Sequence, residues 1–199
     1  GTVDGTNFIG TTDNVPLNIR VNNQKAGRLD PQYSSTFYGI DAGKSNTSGT
    51  ENTAIGVSAL SSNTTGLSNV GLGVNALTKN NDGWWNVGVG NLSLANNTNG
   101  GANVAIGTWA LRNNQDGSAN TATGHGSMHN LTTGEFNTAN GDFALYSNVT
   151  GQYNTAIGGQ SLVTFIGGSF TTGLGYLADG NGISGHNNST AIGANTIIN

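Results

Sequence analysis

The sequence predicts an all-β protein, a parallel β-solenoid (β-roll) built from 17-residue coils. Glycine recurs at every seventeenth position, at Gly39, Gly56, Gly73, Gly90, Gly107, Gly124, Gly141, Gly158 and Gly175. The stretch NTAIGVSALSSN from Asn52 returns as NVAIGTWALRNN from Asn103 and as NTAIGGQSLVTF from Asn154. Because one such unit cannot bury an apolar face by itself, a short strict period indicates coils that stack on one another.

The residues of one coil predict two strands and two turns. The first segment is short and β-branched and ends at one of the nine glycines, which is typical of a strand followed by a sharp corner of positive φ. The second segment carries an Ala-Leu or related pair, such as Ala59-Leu60, and is predicted to form the second strand. Asn-Thr-Thr-Gly and Asn-Asn-Asp-Gly stretches between the two segments are typical of tight turns. Nine coils at about 4.8 Å each predict a rod on the order of 43 Å long, without helix.

The period divides the chain into three parts. Residues 1–31 are an N-terminal lead-in segment, residues 32–184 hold nine coils, and residues 185–199 hold a terminal coil whose register slips, since Gly193 follows Gly175 by one position more than the period. The sequence opens at Gly1 without Met. We therefore expect a piece of a longer protein that continues into a further C-terminal region.

Stacking places like residues directly above one another. A side-chain amide ladder is predicted for one column of asparagines: Asn52, Asn69, Asn86, Asn103, Asn120, Asn137 and Asn154. Neighbours in a strand face opposite ways, so the column that contains Ile55, Leu72 and Ile106 points away from the column that contains Ala54 and Ala105. One of these columns fills the roll and the other is free to meet neighbouring chains. The sequence leaves open which does which.

Composition and motifs exclude several classes of function. The six Lys and Arg residues are scattered in a chain of net charge −4, so no basic stripe is available for nucleic acid. No apolar run approaches the roughly 20 residues that span a bilayer. The glycine pairs in the stretches GVG and GLG lack the spacing of a nucleotide-binding loop, and the sequence contains no recognisable Ser-His-Asp arrangement. We therefore expect no cofactor and no catalytic residues.

Four polar residues are candidate sites by their spacing. His125 and His129 are four positions apart but lack a third ligand, so we expect no metal site. Asp82 and Asp116 occupy one corner column, and stacking predicts a separation of about 9.6 Å, near the upper end of the range for an inverting glycosidase. Both precede glycine, where Asp is an ordinary turn residue, and the turn interpretation is favoured.

Aromatic residues depart from the repeat and are the candidate contact residues: Trp84, Trp85, Trp109, Phe136 and Tyr153. Trp85, Phe136 and Tyr153 share one corner column, and Trp109 shares a second column with Phe143. Packing against a neighbouring chain is the favoured interpretation. The alternative is a solvent-facing platform that stacks on a sugar face.

The NTAIG…AL…N coils resemble the YadA-like head repeats of trimeric autotransporter adhesins. Residues 5–30, GTNFIGTTDNVPLNIRVNNQKAGRLD, are similar to the lead-in of bacterial and phage tail-fibre-like proteins. The resemblance implies left-handed β-rolls that associate three to a bundle, and an extracellular fibre or adhesin segment without catalytic residues. We therefore expect a homotrimer that attaches to surface glycans or an envelope receptor. The alternatives are a monomeric ice- or polysaccharide-binding solenoid and, less favoured, a polysaccharide-degrading β-helix enzyme.

Overall fold

A computed structural model describes residues 9–180 and 187–198 of the chain. Within these residues all regular elements are β-strands, as the sequence predicts. The strands are β1 (Leu17–Val21), β2 (Gln24–Asp30), β3 (Ser35–Tyr38), β4 (Thr53–Ile55), β5 (Val70–Leu72), β6 (Val87–Val89), β7 (Val104–Ile106), β8 (Thr121–Thr123), β9 (Thr138–Asn140), β10 (Thr155–Ile157), β11 (Thr172–Leu174), β12 (Asp179–Gly180), β13 (Thr190–Ile192) and β14 (Ile197–Ile198).

The strands β3 to β11 stack in parallel, one per coil, which confirms the β-solenoid. Each residue pairs with its equivalent one period further on, for example Thr53 with Val70 and Val87 with Val104. The last step, from β11 to β13, pairs Thr172 with Thr190 and is therefore one position longer. With β1 and β2 these strands form a single sheet of twelve.

The Ala-Leu segment is not a second strand in the repeated coils, so this part of the prediction is wrong. Ser58 and Leu60 have φ values of +57° and +50°, which an extended strand does not contain. Ala59 and Leu60 are both fully buried, although neighbours in a strand would face opposite ways. The left-handed turn lets two consecutive side chains point inward. Backbone bonds still join this segment to the next coil, since the Leu60 N–H donates to Ala76 O at 3.0 Å.

Within the part of the chain that the structure describes, only the last coils extend this segment into strands, where β12 pairs in parallel with β14. At the other end, β1 and β2 form an antiparallel hairpin, and β2 in turn pairs antiparallel with β3. Asn22 and Asn23 make the hairpin turn with φ values of +47° and +58°. Both φ values are positive, as a two-residue turn of this kind requires. The lead-in thus occupies the N-terminal edge of the parallel stack.

The small residues of the repeated strands point into the roll. This decides which of the two columns fills the interior, a point that the sequence leaves open. Ala54 and Ala105 are fully buried, whereas Ile55 and Ile106 are 45% and 44% exposed. We call the inward residues the inner column and the outward residues the outer column. The outer column runs Tyr38, Ile55, Leu72, Val89, Ile106, Thr123, Asn140, Ile157, Leu174 and Ile192.

Space inside the coil explains this orientation. The buried Leu77 lies so close to the inner column that an added Cβ at Gly88 would be 3.3 Å from its Cγ atom. A branched side chain therefore does not fit opposite the leucine. In the first coil the partners are exchanged: Phe37 is buried in the inner column, and Gly43 stands where later coils carry leucine, with room for the Phe37 ring only because it has no Cβ.

The predicted asparagine ladder is present and makes more bonds than expected. The Asn69 amide donates to Asn52 Oδ1 at 3.2 Å and to Gly83 O at 2.8 Å, while the Asn69 backbone N–H also donates to Asn52 Oδ1. The same pattern continues to Asn154, where it is partly reproduced. These buried amides take the place of apolar side chains in part of the coil interior. Their burial is tolerated because each amide has hydrogen-bond partners in the adjacent coils.

A second asparagine ladder was not predicted. Asn80 Nδ2 donates to Asn63 Oδ1 at 2.7 Å and to Gly83 O at 3.1 Å. The members of this buried column are Asn46, Asn63, Asn80, Asn97 and Asn114. The next coil carries Leu131 at this place, and the buried Asn114 Oδ1 and Asn148 Nδ2 on its two sides have no hydrogen-bond partner. One leucine therefore breaks the ladder and leaves two unpaired atoms.

We predict that Asn97→Leu, which makes the same break inside the intact ladder, lowers the free energy of unfolding by about 1–3 kcal/mol, because Asn80 Oδ1 loses its donor. The reverse change, Leu131→Asn, restores partners to two buried atoms. It should cost clearly less stability than Leu111→Asn, at an equally buried leucine without such neighbours. Urea unfolding measures all three variants. Equal losses for the two leucine variants would contradict the ladder's energetic role.

The nine corner glycines all have φ values between +123° and +147°. This region is open to glycine and strained for other residues. The next coil imposes a second requirement, since an added Cβ at Gly107 would lie 2.4 Å from Gly124 O. Each corner therefore needs glycine both for its own backbone angle and for the approach of the coil above.

We predict that Gly107→Val lowers the free energy of unfolding by about 2–5 kcal/mol, since it combines backbone strain with overpacking. The neighbouring change Thr108→Val is the control, because Val57 and Val74 occupy the same column in earlier coils. Thermal unfolding followed by circular dichroism compares the two. The register of the solenoid would be refuted if both variants melted alike.

Candidate binding surfaces

The outer column makes one side of the solenoid a largely apolar stripe. Its exposed members include Ile55, Ile106, Ile157, Leu174 and Ile192, which are between 42% and 66% exposed. The stripe lies on a sheet with short strands of equal length in parallel register, so its side chains repeat at the spacing of the coils. Single exposed apolar residues are common on proteins, whereas a row of them along one side is a candidate interaction surface.

Two of the predicted aromatic residues belong to a stack within the chain. The rings of Phe136 and Tyr153 are 5.0 Å apart and inclined by 4°, and the rings of Tyr153 and Phe170 are 4.9 Å apart and inclined by 5°. The three rings are between 46% and 58% exposed. Since they face one another along the stack, Tyr153 has both faces covered and is unsuited to stack on a sugar. We call these three residues the ring stack.

Phe170 was not among the predicted contact residues. The sequence contains a signal for Phe170, because this residue follows Tyr153 by one period and so extends the column of Phe136 and Tyr153. All three rings sit on residues with φ between +56° and +58°. The same left-handed corner is occupied by Glu51 and Ser68 in earlier coils, so the bend is a property of the coil and not of the ring.

Trp84 and Trp85 form a separate aromatic pair, and the next coil carries the small residues Gly101 and Ala102 in the same columns. Their ring centroids are 4.9 Å apart and the planes stand at 82°. The Trp84 ring lies over Gly101 in the next coil, where an added Cβ would be 2.6 Å from the ring. Trp85 is 59% exposed and has no aromatic neighbour in its own column, which carries Ser68 before it and Ala102 after it. We call Trp84 and Trp85 the Trp pair; unlike Tyr153, Trp85 has no ring of an adjacent coil stacked on it.

The fifth predicted aromatic residue, Trp109, belongs to a mixed cluster that spans three coils. Its ring is 5.2 Å from the ring of His125 and 6.2 Å from that of His129. His125 also meets Phe143 edge-on at 4.8 Å, and His129 stacks on Tyr146 at 5.1 Å. These contacts give both histidines packing partners. Sequence reasoning missed Tyr146, whose column carries no other ring apart from His129.

The polar candidates show no assembled chemistry. His125 Nδ1 lies 3.2 Å from Asp142 Oδ1, and His129 Nδ1 lies 2.9 Å from Asn130 Oδ1. No group of three or more potential metal ligands converges within residues 9–180 and 187–198.

Asp116 Oδ1 accepts hydrogen bonds from Thr98 Oγ1 and Asn99 Nδ2 across coils, as a corner residue of a stack would. Asp82 is exposed on the corner before Gly83.

None of the helices that a bilayer crossing would require occurs in the described part of the chain. No protein-family model, curated protein or solved structure significantly matches this chain.

Proposed function

We propose that the chain is a segment of an extracellular homotrimeric fibre or adhesin that attaches a cell or particle to a surface. The observation that carries the proposal is the outer column, an apolar stripe along the parallel stack. The resemblance of the coils to trimeric adhesin head repeats supports the same function and contributes the expected left-handed sense, which stays a prediction.

The stripe favours association because the coil cannot bury it internally. The inner column and the leucines fill the cross-section, so Ile55 and its equivalents have no place inside. Burying apolar surface contributes roughly 25 cal/mol per Å², and the stripe repeats the gain at each coil. Three parallel copies around one axis would bury all three stripes and present the remaining surface three times, which raises avidity for a repetitive surface.

The Trp pair is the proposed contact with surface glycans. Indole faces bind the apolar faces of sugar rings, and Trp85 offers free ring surface beside the edge of Trp84. Asp82, which is exposed and lies two positions before Trp84 in the sequence, supplies a carboxylate that can accept hydrogen bonds from hydroxyl groups. The ring stack and the Trp109 cluster are assigned a packing role instead, because their rings lie against rings of adjacent coils, whereas Trp84 and Trp85 contact each other within one coil.

Size-exclusion chromatography with light scattering should give a mass of about 60 kDa, three times the 20.2 kDa chain. Replacing Ile106 and Ile157 by Asp should lower the trimer fraction, because it places charges in the buried stripe. The control replaces the exposed Thr65 by Asp, at a corner away from the sheet. A soluble monomer at micromolar concentration would refute the fibre segment and favour the monomeric ice- or polysaccharide-binding solenoid.

Trp85→Ala should weaken binding to an array of neutral oligosaccharides by at least about tenfold, as expected for a central aromatic contact, with little change in melting temperature. Phe170→Ala is the matched control, since Phe170 is 58% exposed and Trp85 59%. It should leave binding intact but lower stability by about 0.5–1.5 kcal/mol through the loss of one ring contact. A fall in trimer content with Trp85→Ala would instead identify the Trp pair as a contact between chains.

A further inference from the structure

The outer column contains one polar interruption within the strands β4 to β11 and β13. Thr123 in β8 and Asn140 in β9 stand where the other strands carry Ile, Leu or Val. We call these two residues the polar window. Ile106 precedes the window and Ile157 follows it, and both are more than 40% exposed. The window thus divides the apolar stripe into a longer N-terminal part and a shorter C-terminal part.

The side chains of the polar window make no hydrogen bond within residues 9–180 and 187–198. Asn140 is exposed and Thr123 is half-buried, so water can reach both side chains in the single chain. An amide carries two donors and an acceptor that takes two bonds, and a hydroxyl carries one donor and accepts two. Several copies of the window can therefore satisfy one another when they meet, as an apolar residue in the same place could not.

A repetitive stripe creates a problem of alignment for any trimer of this chain. The coils repeat at about 4.8 Å, so one copy can slide along another by one coil and bury nearly as much apolar surface. Burial by itself then separates the aligned assembly from the slipped one only by the coil that is lost at each end. Some feature that does not repeat with the coils has to distinguish them.

We propose that the polar window aligns identical copies of this chain in parallel and in register, an inference that rests on the proposed trimer. In the aligned assembly, window meets window and the Asn140 amides of the copies bond one another. A slip by one coil places Thr123 against Ile106 and Asn140 against Ile157 of another copy. Each mismatch buries a polar group without a partner. A single buried Asn at an apolar interface fixes register in coiled coils by the same physics.

The position of the window also selects the parallel direction. Among the ten strands of the stack, β3 to β11 and β13, five precede the window and three follow it. An antiparallel copy with full overlap would place Thr123 against Ile106 and Asn140 against Val89. Only a parallel arrangement without slip gives every coil a partner of its own kind.

Disulfide trapping tests the alignment directly, because the chain has no native cysteine. Ile55→Cys and Leu72→Cys place thiols on the outer column in adjacent coils, and each is made in the full chain with a tag of different size. Mixed trimers are refolded together and oxidised. The coils are about 4.8 Å apart and a disulfide joins only residues whose Cα atoms come within about 7 Å, so the ratio of links at equal positions to links at unequal positions distinguishes alignment from a slip of one coil. Leu174→Cys with Ile55→Cys reports the antiparallel arrangement.

We expect links between equal positions to exceed slipped links by at least about tenfold, since burying even one unpaired polar group is worth that factor. In Thr123→Ile with Asn140→Ile, the trimer should persist while slipped links rise to a comparable amount. The control, Ile106→Leu with Ile157→Leu, keeps the window and should keep the alignment.

Two results would overturn the inference alone: a trimer that stays aligned after the window is filled, or abundant links between Ile55→Cys and Leu174→Cys. A chain that stays monomeric in light scattering and forms no links of any kind would overturn the proposed trimer and the inference with it. The mass measurement therefore separates failure of the assembly from failure of the window.

Discussion

The structure depends on how little space one coil encloses. A repeated coil admits one leucine, two small residues and two asparagines in its interior, as in the coil that contains Ala54, Ala59 and Leu60. Such a cross-section buries too few apolar side chains to offset the conformational entropy lost when the whole coil is ordered. Stability has to come from the next coil, through backbone bonds, the two asparagine ladders and the close approach of the corner glycines. Register between coils is therefore the condition on which every other contact rests.

Because each coil packs only on the coils next to it, a departure from the repeat affects only its own coil and the adjacent ones. Phe37 with Gly43 fills the volume that alanine and leucine fill elsewhere. Leu131 shows the opposite case, since it interrupts the second ladder and leaves Asn114 Oδ1 and Asn148 Nδ2 unpaired. A stack tolerates such a defect because the coils on either side are held by their own remaining bonds. The same one-dimensional logic accounts for the ring stack, in which each ring gains a partner from the next coil.

The narrow interior also determines the surface. Branched residues that the roll cannot hold are turned outward, and they repeat with the coils to form an apolar stripe along the stack. The proposed trimer uses this stripe, and the proposed alignment uses its only polar interruption in the strands β4 to β11 and β13. The Trp pair, by contrast, lies on a corner where the Trp84 ring packs over Gly101 and Trp85 is followed in its column by the small residue Ala102. Packing surface and contact surface thus arise from different columns of the same repeat.

The sequence by itself determined the coil length, the strand before each corner glycine, the parallel stacking and the first asparagine ladder, because each follows from residues that recur once per period. It also contained signals that were passed over, such as Asn22-Asn23 for the hairpin and the place of Phe170 in the ring column. Only the tertiary structure decided that the inner column fills the roll and that Ala59-Leu60 is a left-handed turn. Both depend on the volume left inside the coil, which is set by side chains of neighbouring coils. Which aromatic faces remain free is likewise a matter of contact between coils: Tyr153 lies between two rings, and Trp85 has Ser68 and Ala102 on either side.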